Sequence, residues 1–141
     1  MEDIMRAEGL PYSQRTNTYN SRLAQELAKW ADDQSGFEAI HHRIYRAYFV
    51  EDRNISDINV LVKLAKDVGL PENVARQVLL ERRFSDAVDR DWDRSRRYGI
   101  SGVPAFVIDL QRVIGAQPYE VLEQLLTTAH IMPKTKLKED V

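Results

Sequence analysis

Three kinds of side chain in this 141-residue sequence have the chemistry of a catalytic or metal site: adjacent histidines, clustered aspartates and a loop serine. His41 and His42 fall in a predicted helix, where neighbouring side chains diverge by about 100° and cannot chelate one metal ion together. We expect one to pack at the domain edge and the other to be solvated. Ser101 has no histidine beside it in sequence, so we interpret it as a turn-forming serine. We therefore predict no catalytic residue, no metal and no cofactor.

The aspartates belong to an arginine-rich segment. A divalent-cation surface is one interpretation of their spacing. Ion pairs between residues four apart on a helix, such as Asp86–Arg90 and Asp93–Arg97, explain the pattern more simply, and we predict a solvated face. The four aspartates surround Trp92 and are Asp86, Asp89, Asp91 and Asp93.

A group of aromatic residues offers a further alternative. These side chains are suited to lining a cofactor pocket, but an aromatic core between helices is the interpretation we prefer. The group consists of Trp30, Tyr45, Tyr48 and Phe49.

Composition limits the class of protein. The chain is 43% apolar and 30% charged, which suits one domain with a real core. Its net charge is −2 with both signs interleaved, which gives no sign of a nucleic-acid patch or a membrane-binding face. No apolar run approaches the roughly 20 residues of a membrane span, and the first residues lack signal-peptide features, so we expect a cytoplasmic protein. Because cysteine is absent, disulfides, thiolate catalysis and cysteine-ligated metals are excluded within the chain.

Hydrophobic periodicity predicts five helices before residue 99. Thr18 or Asn17 is the predicted cap of the first, and Gly69 is the predicted stop of the third. In the fifth, we expect Phe84, Val88 and Trp92 to point inward. The helices span residues 17–31, 36–50, from Ser56 or Asp57 to 69, from Pro71 to about 82, and about 84–98.

The pattern changes after Gly99. Ala105–Ile108 is predicted as a strand, residues 109–111 as a turn, and Arg112–Gly115 as its antiparallel partner, before a last helix from Pro118. The edge of this hairpin nearest Pro104 has no obvious third strand. Unpaired backbone groups cannot remain buried, so the β part is predicted to be incomplete and to self-associate.

Segments spread over residues 5 to 128 resemble the DsbA-like thioredoxin superfamily, and most closely its FrnE-like group of predicted dithiol–disulfide isomerases. No single motif carries this resemblance. The matching segments are Gly9–Tyr12, Asn17–Ser21, Arg46–Phe49, Asn54–Ile55, Gly99–Pro104 and Gly115–Tyr119.

The resemblance implies a mainly α (α+β) fold. Residues 1–98 would form the helical insertion domain, 99–130 a partial thioredoxin-like ββα unit with its hairpin and last helix, and 131–141 a disordered tail. In that family a β-α-β unit carrying Cys-x-x-Cys comes first. The resemblance therefore implies that this sequence is a C-terminal portion without that unit.

The resemblance also implies a substrate site. The Val103–Pro104 bond would be cis, the Val103 backbone would pair with a substrate chain, and Pro104 would keep that backbone exposed, with Ser101 in the same loop. The implied partners are polypeptide thiol or disulfide substrates, with no nucleic acid and no membrane. A substrate-facing role is also implied for Tyr12, Arg15, Asn17 and Tyr19.

The predicted function is that of a DsbA/FrnE-family thiol–disulfide oxidoreductase (isomerase) that is inactive in dithiol chemistry as this cysteine-free chain. One alternative is a non-catalytic binding protein that self-assembles as a homo-oligomer, most simply a dimer, through the open sheet edge. A further alternative is a relative of the kappa-class glutathione transferases and 2-hydroxychromene-2-carboxylate isomerases, which share this architecture. The matches at Arg46–Phe49 and Gly115–Tyr119 favour the FrnE-like group.

Overall fold

Helices dominate the computed structural model, which describes residues 2–14, 17–34 and 37–131. The predicted fold class, mainly helical with one small antiparallel sheet, is confirmed. Of the predicted tail, only residue 131 lies among the described residues. The elements are α1 (Glu2–Ala7), α2 (Arg22–Asp32), α3 (Phe37–Phe49), α4 (Ile58–Asp67), α5 (Glu72–Leu80), α6 (Ser85–Arg97), β1 (Ala105–Ile108), β2 (Gln111–Ile114) and α7 (Tyr119–Thr128).

The described residues form two compact units, which divide between Asp91 and Trp92. We call residues 2–91 the helical unit and residues 92–131 the hairpin unit. Helix α6 spans the division. The predicted domains, 1–98 and 99–130, differ from these units in placing all of α6 with the helices.

The core of the helical unit is built from the apolar stripes of α2 to α5. Each stripe repeats every three or four residues, so one face of each helix is apolar and packs inward. The large side chains that are fully buried include Leu27, Ile40, Leu61, Leu64 and Leu79.

Helix α2 begins at Arg22, five residues later than predicted, and the predicted caps Thr18 and Asn17 are wrong. The side chain of Asn20 accepts a hydrogen bond from the Arg22 backbone N–H at 2.8 Å, which favours a turn before the helix. By contrast, Asp57 caps α4 as predicted, because its carboxylate accepts from the Asn59 N–H at 2.7 Å.

Helix α6 corrects two further expectations. Val88 is buried, but Trp92 is 40% exposed rather than inward. Phe84 packs against the core of the helical unit. Trp92 lies about two helical turns further along the chain and is not part of that core. Asp86 and Arg90 form no ion pair with each other, and Asp93 pairs with Arg96 instead of Arg97.

The hairpin of β1 and β2 has a defined register, with Ala105 opposite Ile114 and Ile108 opposite Gln111. Asp109 and Leu110 therefore form a two-residue turn, and β2 begins one residue earlier than predicted. Gly115 follows β2 with φ = 90°, and its N–H donates to the Pro104 carbonyl at 2.7 Å. This bond ties the residue after β2 to the residue before β1.

Gly99 ends α6 and directs the chain into the loop before β1. Its φ is 65°, a left-handed conformation that glycine adopts without steric cost. Its N–H donates to the Arg96 carbonyl at 2.9 Å, and the Ile100 N–H donates to the Ser95 carbonyl at 3.0 Å. These two bonds form a Schellman motif, which satisfies the last carbonyls of the helix.

We expect Gly99→Ala to lower the free energy of unfolding by about 1–2 kcal/mol, the cost of a left-handed conformation for a residue with a Cβ. The added Cβ would also lie 3.1 Å from Cζ of Arg112. Gly102→Ala is the matched control, because its Cβ would meet only Ile114 Cγ2 at 3.5 Å and its φ is not left-handed. Urea unfolding measures both variants, and equal destabilisation by the two would contradict this account.

Candidate functional site

The loop from Ile100 to Pro104 presents an open stretch of backbone. The Val103–Pro104 peptide bond is cis, and the Val103 side chain is 89% exposed. Among the described residues, neither the N–H nor the C=O of Val103 has a hydrogen-bond partner. Ser101 is exposed in the same loop, and its hydroxyl likewise has no partner in the described part of the chain. All three predicted site residues therefore lie together on an accessible loop.

Strand β1 continues this open backbone. In an antiparallel pair, residues alternate between bonding to the partner strand and pointing away from it. The bond from Gly115 to the Pro104 carbonyl sets the alternation, so the N–H and C=O of Ala105 and Val107 point away from β2. The described ranges contain no strand on that side and no partner for these groups. We call this row of groups the free edge of β1.

An apolar cleft of about 390 Å³ adjoins β1 within the hairpin unit. Strand β1 and helix α7 form its walls, and Leu125 of α7 is buried. Tyr119 and Leu126 are exposed, although both are large and apolar. The other lining side chains include Phe106, Ile108 and Leu122.

The loop and the free edge together expose main-chain N–H and C=O groups along one side of the chain, the type of edge to which a strand is added in β-strand addition. The hairpin unit offers no cysteine for attack on sulfur. The described residues of this unit therefore offer a row of main-chain hydrogen-bonding groups and no thiol. Sequence reasoning did not single out Ala105 and Val107, whose backbone groups form part of this row. The lack of a predicted third strand indicated that such groups would be unpaired.

The other predicted substrate-facing residues belong to the helical unit. Tyr12 is half-buried and Asn17 is exposed. Tyr19 is half-buried and packs against the helical core, which gives it a structural role. Arg15 lies outside the described residues.

The histidines differ in environment, as expected. His41 is half-buried and its Nε2 lies 2.9 Å from Asp32 Oδ1, whereas His42 is exposed. In residues 2–14, 17–34 and 37–131, no three His, Asp or Glu side chains are placed to hold a metal ion. Two aspartates of α6 bind cations of α2: Asp89 contacts Arg22 and Asp91 contacts Lys29, each at 2.7 Å.

The four aromatic residues of the predicted core differ in their burial. Trp30 is buried, and Tyr48 packs edge-on against Phe49 with ring centroids 5.0 Å apart. Tyr45 is 59% exposed, so its predicted place in the core is wrong. It follows Ile44, which faces the core, and therefore points away from it.

Sequence reasoning missed Glu26, a carboxylate that is only 1% exposed. Arg82 donates to both of its oxygens, at 2.8 and 2.6 Å, and Arg22 donates to one at 2.9 Å. These hydrogen bonds, those from Arg82 above all, hold the pKa of Glu26 below its ordinary value. Arg22 also binds the Ser85 carbonyl at 2.8 Å, so the cluster joins α2 to the start of α6. The sequence contained one indication that Glu26 is buried. Glu26 follows Leu23 by three residues and precedes Trp30 by four, so it lies on the apolar face of α2.

In the described part of the chain, no helix has both the length and the apolar character needed to cross a bilayer.

Comparisons with known proteins agree with this fold. The sequence profile of the DSBA-like thioredoxin domain matches residues 1–127. The uncharacterized protein YwbO of Bacillus subtilis (strain 168) is 30% identical over 106 residues, which are 74% of this chain and 53% of YwbO. The chain thus spans about half the length of that curated relative.

A solved structure gives the same picture. It is the crystal structure of a "putative protein disulfide isomerase from Nitrosomonas europaea", which superposes with a TM-score of 0.68 at 24% identity. The match covers 90% of this chain and 68% of the other. From the profile match over most of its length, this chain belongs to the family of DSBA-like thioredoxin domains.

Proposed function

We propose that this chain supplies the polypeptide-binding surface of a DsbA-like thiol–disulfide oxidoreductase and performs no dithiol exchange with its own residues. The observation that carries the proposal is the unpaired backbone of Val103 beside the free edge of β1. Disulfide exchange needs a thiolate that attacks a sulfur atom. Because these 141 residues include no cysteine, that thiolate must come from outside them.

Two further observations support the oxidoreductase assignment. The family profile matches residues 1–127, and the similar Nitrosomonas structure is named a putative protein disulfide isomerase. Within the family we propose the FrnE-like group, on the segments Arg46–Phe49 and Gly115–Tyr119. The kappa-class transferase and chromene-carboxylate isomerase alternative stays a prediction.

The interaction has a physical basis in the backbone groups that are available. Val103, Ala105 and Val107 offer N–H and C=O groups along one side of the chain. Each main-chain hydrogen bond contributes a net of roughly 0.5–1.5 kcal/mol. A few such bonds, together with burial of the Val103 side chain, predict a dissociation constant roughly in the micromolar to millimolar range. Ser101 adds an exposed hydroxyl to the same loop.

The test combines a binding measurement with an activity measurement. We expect the chain to bind a reduced, alkylated and fluorescently labelled polypeptide, as measured by anisotropy, because such a polypeptide is unfolded, is free to extend and cannot form disulfides. The same polypeptide in its native disulfide-bonded form is the control and should bind more weakly. We expect no insulin reduction above the uncatalysed rate. Insulin turnover, or equal binding of the two forms, would contradict the proposal.

A second candidate occupant of the free edge is another copy of this chain. The unpaired groups of Ala105 and Val107 favour it, because an antiparallel copy would satisfy them in both chains. Light scattering distinguishes this candidate, since only self-association makes the mass rise with protein concentration.

A further inference from the structure

A cavity of about 270 Å³ lies within the helical unit, among helices α2, α3 and α6. Ala24, Ile44 and Val88 line it, and each is more than nine-tenths buried. Ala28 lies one turn after Ala24 on the same face of α2. These two small side chains leave space that a longer residue would fill.

Ion pairs at the cavity hold α6 beside α2. Lys29 contacts Asp91 at 2.7 Å on the cavity rim, and Arg22 contacts Asp89 at 2.7 Å just beyond it. Charged side chains therefore span the distance between these helices. The buried side chains of Ala24, Ile44 and Val88 form the apolar floor beneath this rim.

The rim is polar and carries a net negative charge. Asp32 and Asp91 have side-chain exposures of 39% and 52%, so both carboxylates are accessible from solvent. Lys29 neutralises one of them. The Nε2 atom of His41 lies 2.9 Å from Oδ1 of Asp32. Tyr45, a residue that is 59% exposed, completes the rim.

We propose that this cavity binds a small organic cation, an ammonium group on an apolar body of one or two rings. An apolar cavity of about 150 Å³ accommodates benzene, so this larger space suits such a body. The surplus carboxylate charge attracts the ammonium group, and the ring of Tyr45 offers a cation–π contact. The site is separate from the loop of the proposed function and does not depend on it.

The test uses three probes of similar size on the full chain: phenethylammonium, 2-phenylethanol and 3-phenylpropionate. Amide chemical shifts in two-dimensional NMR report where each probe binds. We expect phenethylammonium to shift residues of α2, α3 and α6 and to saturate. We expect the neutral probe to bind roughly fivefold more weakly, which is the effect of one pair of unit charges about 4 Å apart in water, and the anion to bind more weakly still.

Matched variants separate charge from shape. Asp32→Asn removes a rim charge and should weaken phenethylammonium binding about fivefold. Asp33→Asn makes the same change at the neighbouring exposed carboxylate, which does not line the cavity, and should have little effect. Ala28→Leu fills the cavity and should abolish binding of all three probes.

Several results would overturn the proposal. Equal affinity for the three probes would contradict the claim that the rim carboxylates attract the ammonium group. Equal effects of Asp32→Asn and Asp33→Asn would contradict the same claim. Shifts confined to other surfaces would place the binding elsewhere. Absence of saturation up to about 10 mM would show that no site is formed. If Ala28→Leu does not fold, the comparison of the two asparagine variants decides the question.

Discussion

Replacing Glu26 by glutamine is expected to lower the free energy of unfolding by roughly 3 kcal/mol. The glutamine would leave the guanidinium groups of Arg22 and Arg82 without the carboxylate that now accepts from both. The Arg22 side chain is 17% exposed and would keep only its contact with Asp89, a carboxylate that is 54% exposed, so its charge would remain largely buried with a solvent-screened partner. Removing one partner of a buried ion pair is costly because the other partner stays desolvated.

The same cluster predicts how stability depends on pH. Because the folded protein holds the pKa of Glu26 below its ordinary value of 4.5, the carboxylate stabilises the fold fully above pH 4.5. That contribution is lost as the pH falls through the lowered pKa. The difference in stability between the wild type and Glu26→Gln should therefore shrink under acid conditions. Urea unfolding at neutral and acidic pH measures this difference.

Glu81→Gln is the matched control for this experiment. Glu81 also pairs with an arginine, Arg83, but both side chains are nearly half exposed. Exposed ion pairs contribute about 0–1 kcal/mol, so this variant should unfold almost like the wild type at neutral pH. If Glu81→Gln were as destabilising as Glu26→Gln, burial would not be the cause.

Replacing Val107 by proline is expected to weaken polypeptide binding by about tenfold or more. Proline removes the N–H that points away from β2, and its ring projects toward an incoming strand. The loss of one hydrogen bond between neutral groups and the steric conflict together should reduce the binding free energy by at least about 1.4 kcal/mol. The hairpin itself should survive, because proline is tolerated on edge strands where the N–H faces outward.

Val107→Thr is the control, because it retains the N–H and the β-branched shape. Anisotropy with the alkylated polypeptide and light scattering are measured on both variants. If the edge binds polypeptides, only the proline variant loses affinity; if it also pairs two copies, only that variant becomes monomeric. Equal binding by proline and threonine variants would show that the free edge of β1 is not the binding surface.

Local signals in the sequence were sufficient for much of the fold. Asp57 caps α4 and Gly99 ends α6 because each acts on backbone groups within a few residues. The loop at Val103 and Pro104 lies beside an unpaired strand edge, as predicted from the lack of an obvious third strand in the sequence. Among the described residues, β1 pairs only with β2.

Features that depend on distant residues were not predictable in this way. Glu26 is buried because of Arg82, which is 56 residues away in sequence. Arg82 itself has a left-handed φ of 53°, although it is not glycine, and its guanidinium reaches Glu26 from that position. Trp92 was expected inward from periodicity alone, yet periodicity does not indicate where along a helix the core ends.

The outward groups of Ala105 and Val107 are two residues apart, which is about 7 Å along a strand. If the free edge of β1 binds polypeptides as proposed, it contacts their main chain, which all sequences share. Selectivity then depends on conformation, since only a chain free to extend can align its own backbone with this spacing. Such a surface would not bind a substrate protein whose cysteine-containing region is folded. It would bind the same protein once that region unfolds, so selectivity would depend on the folding state of the substrate.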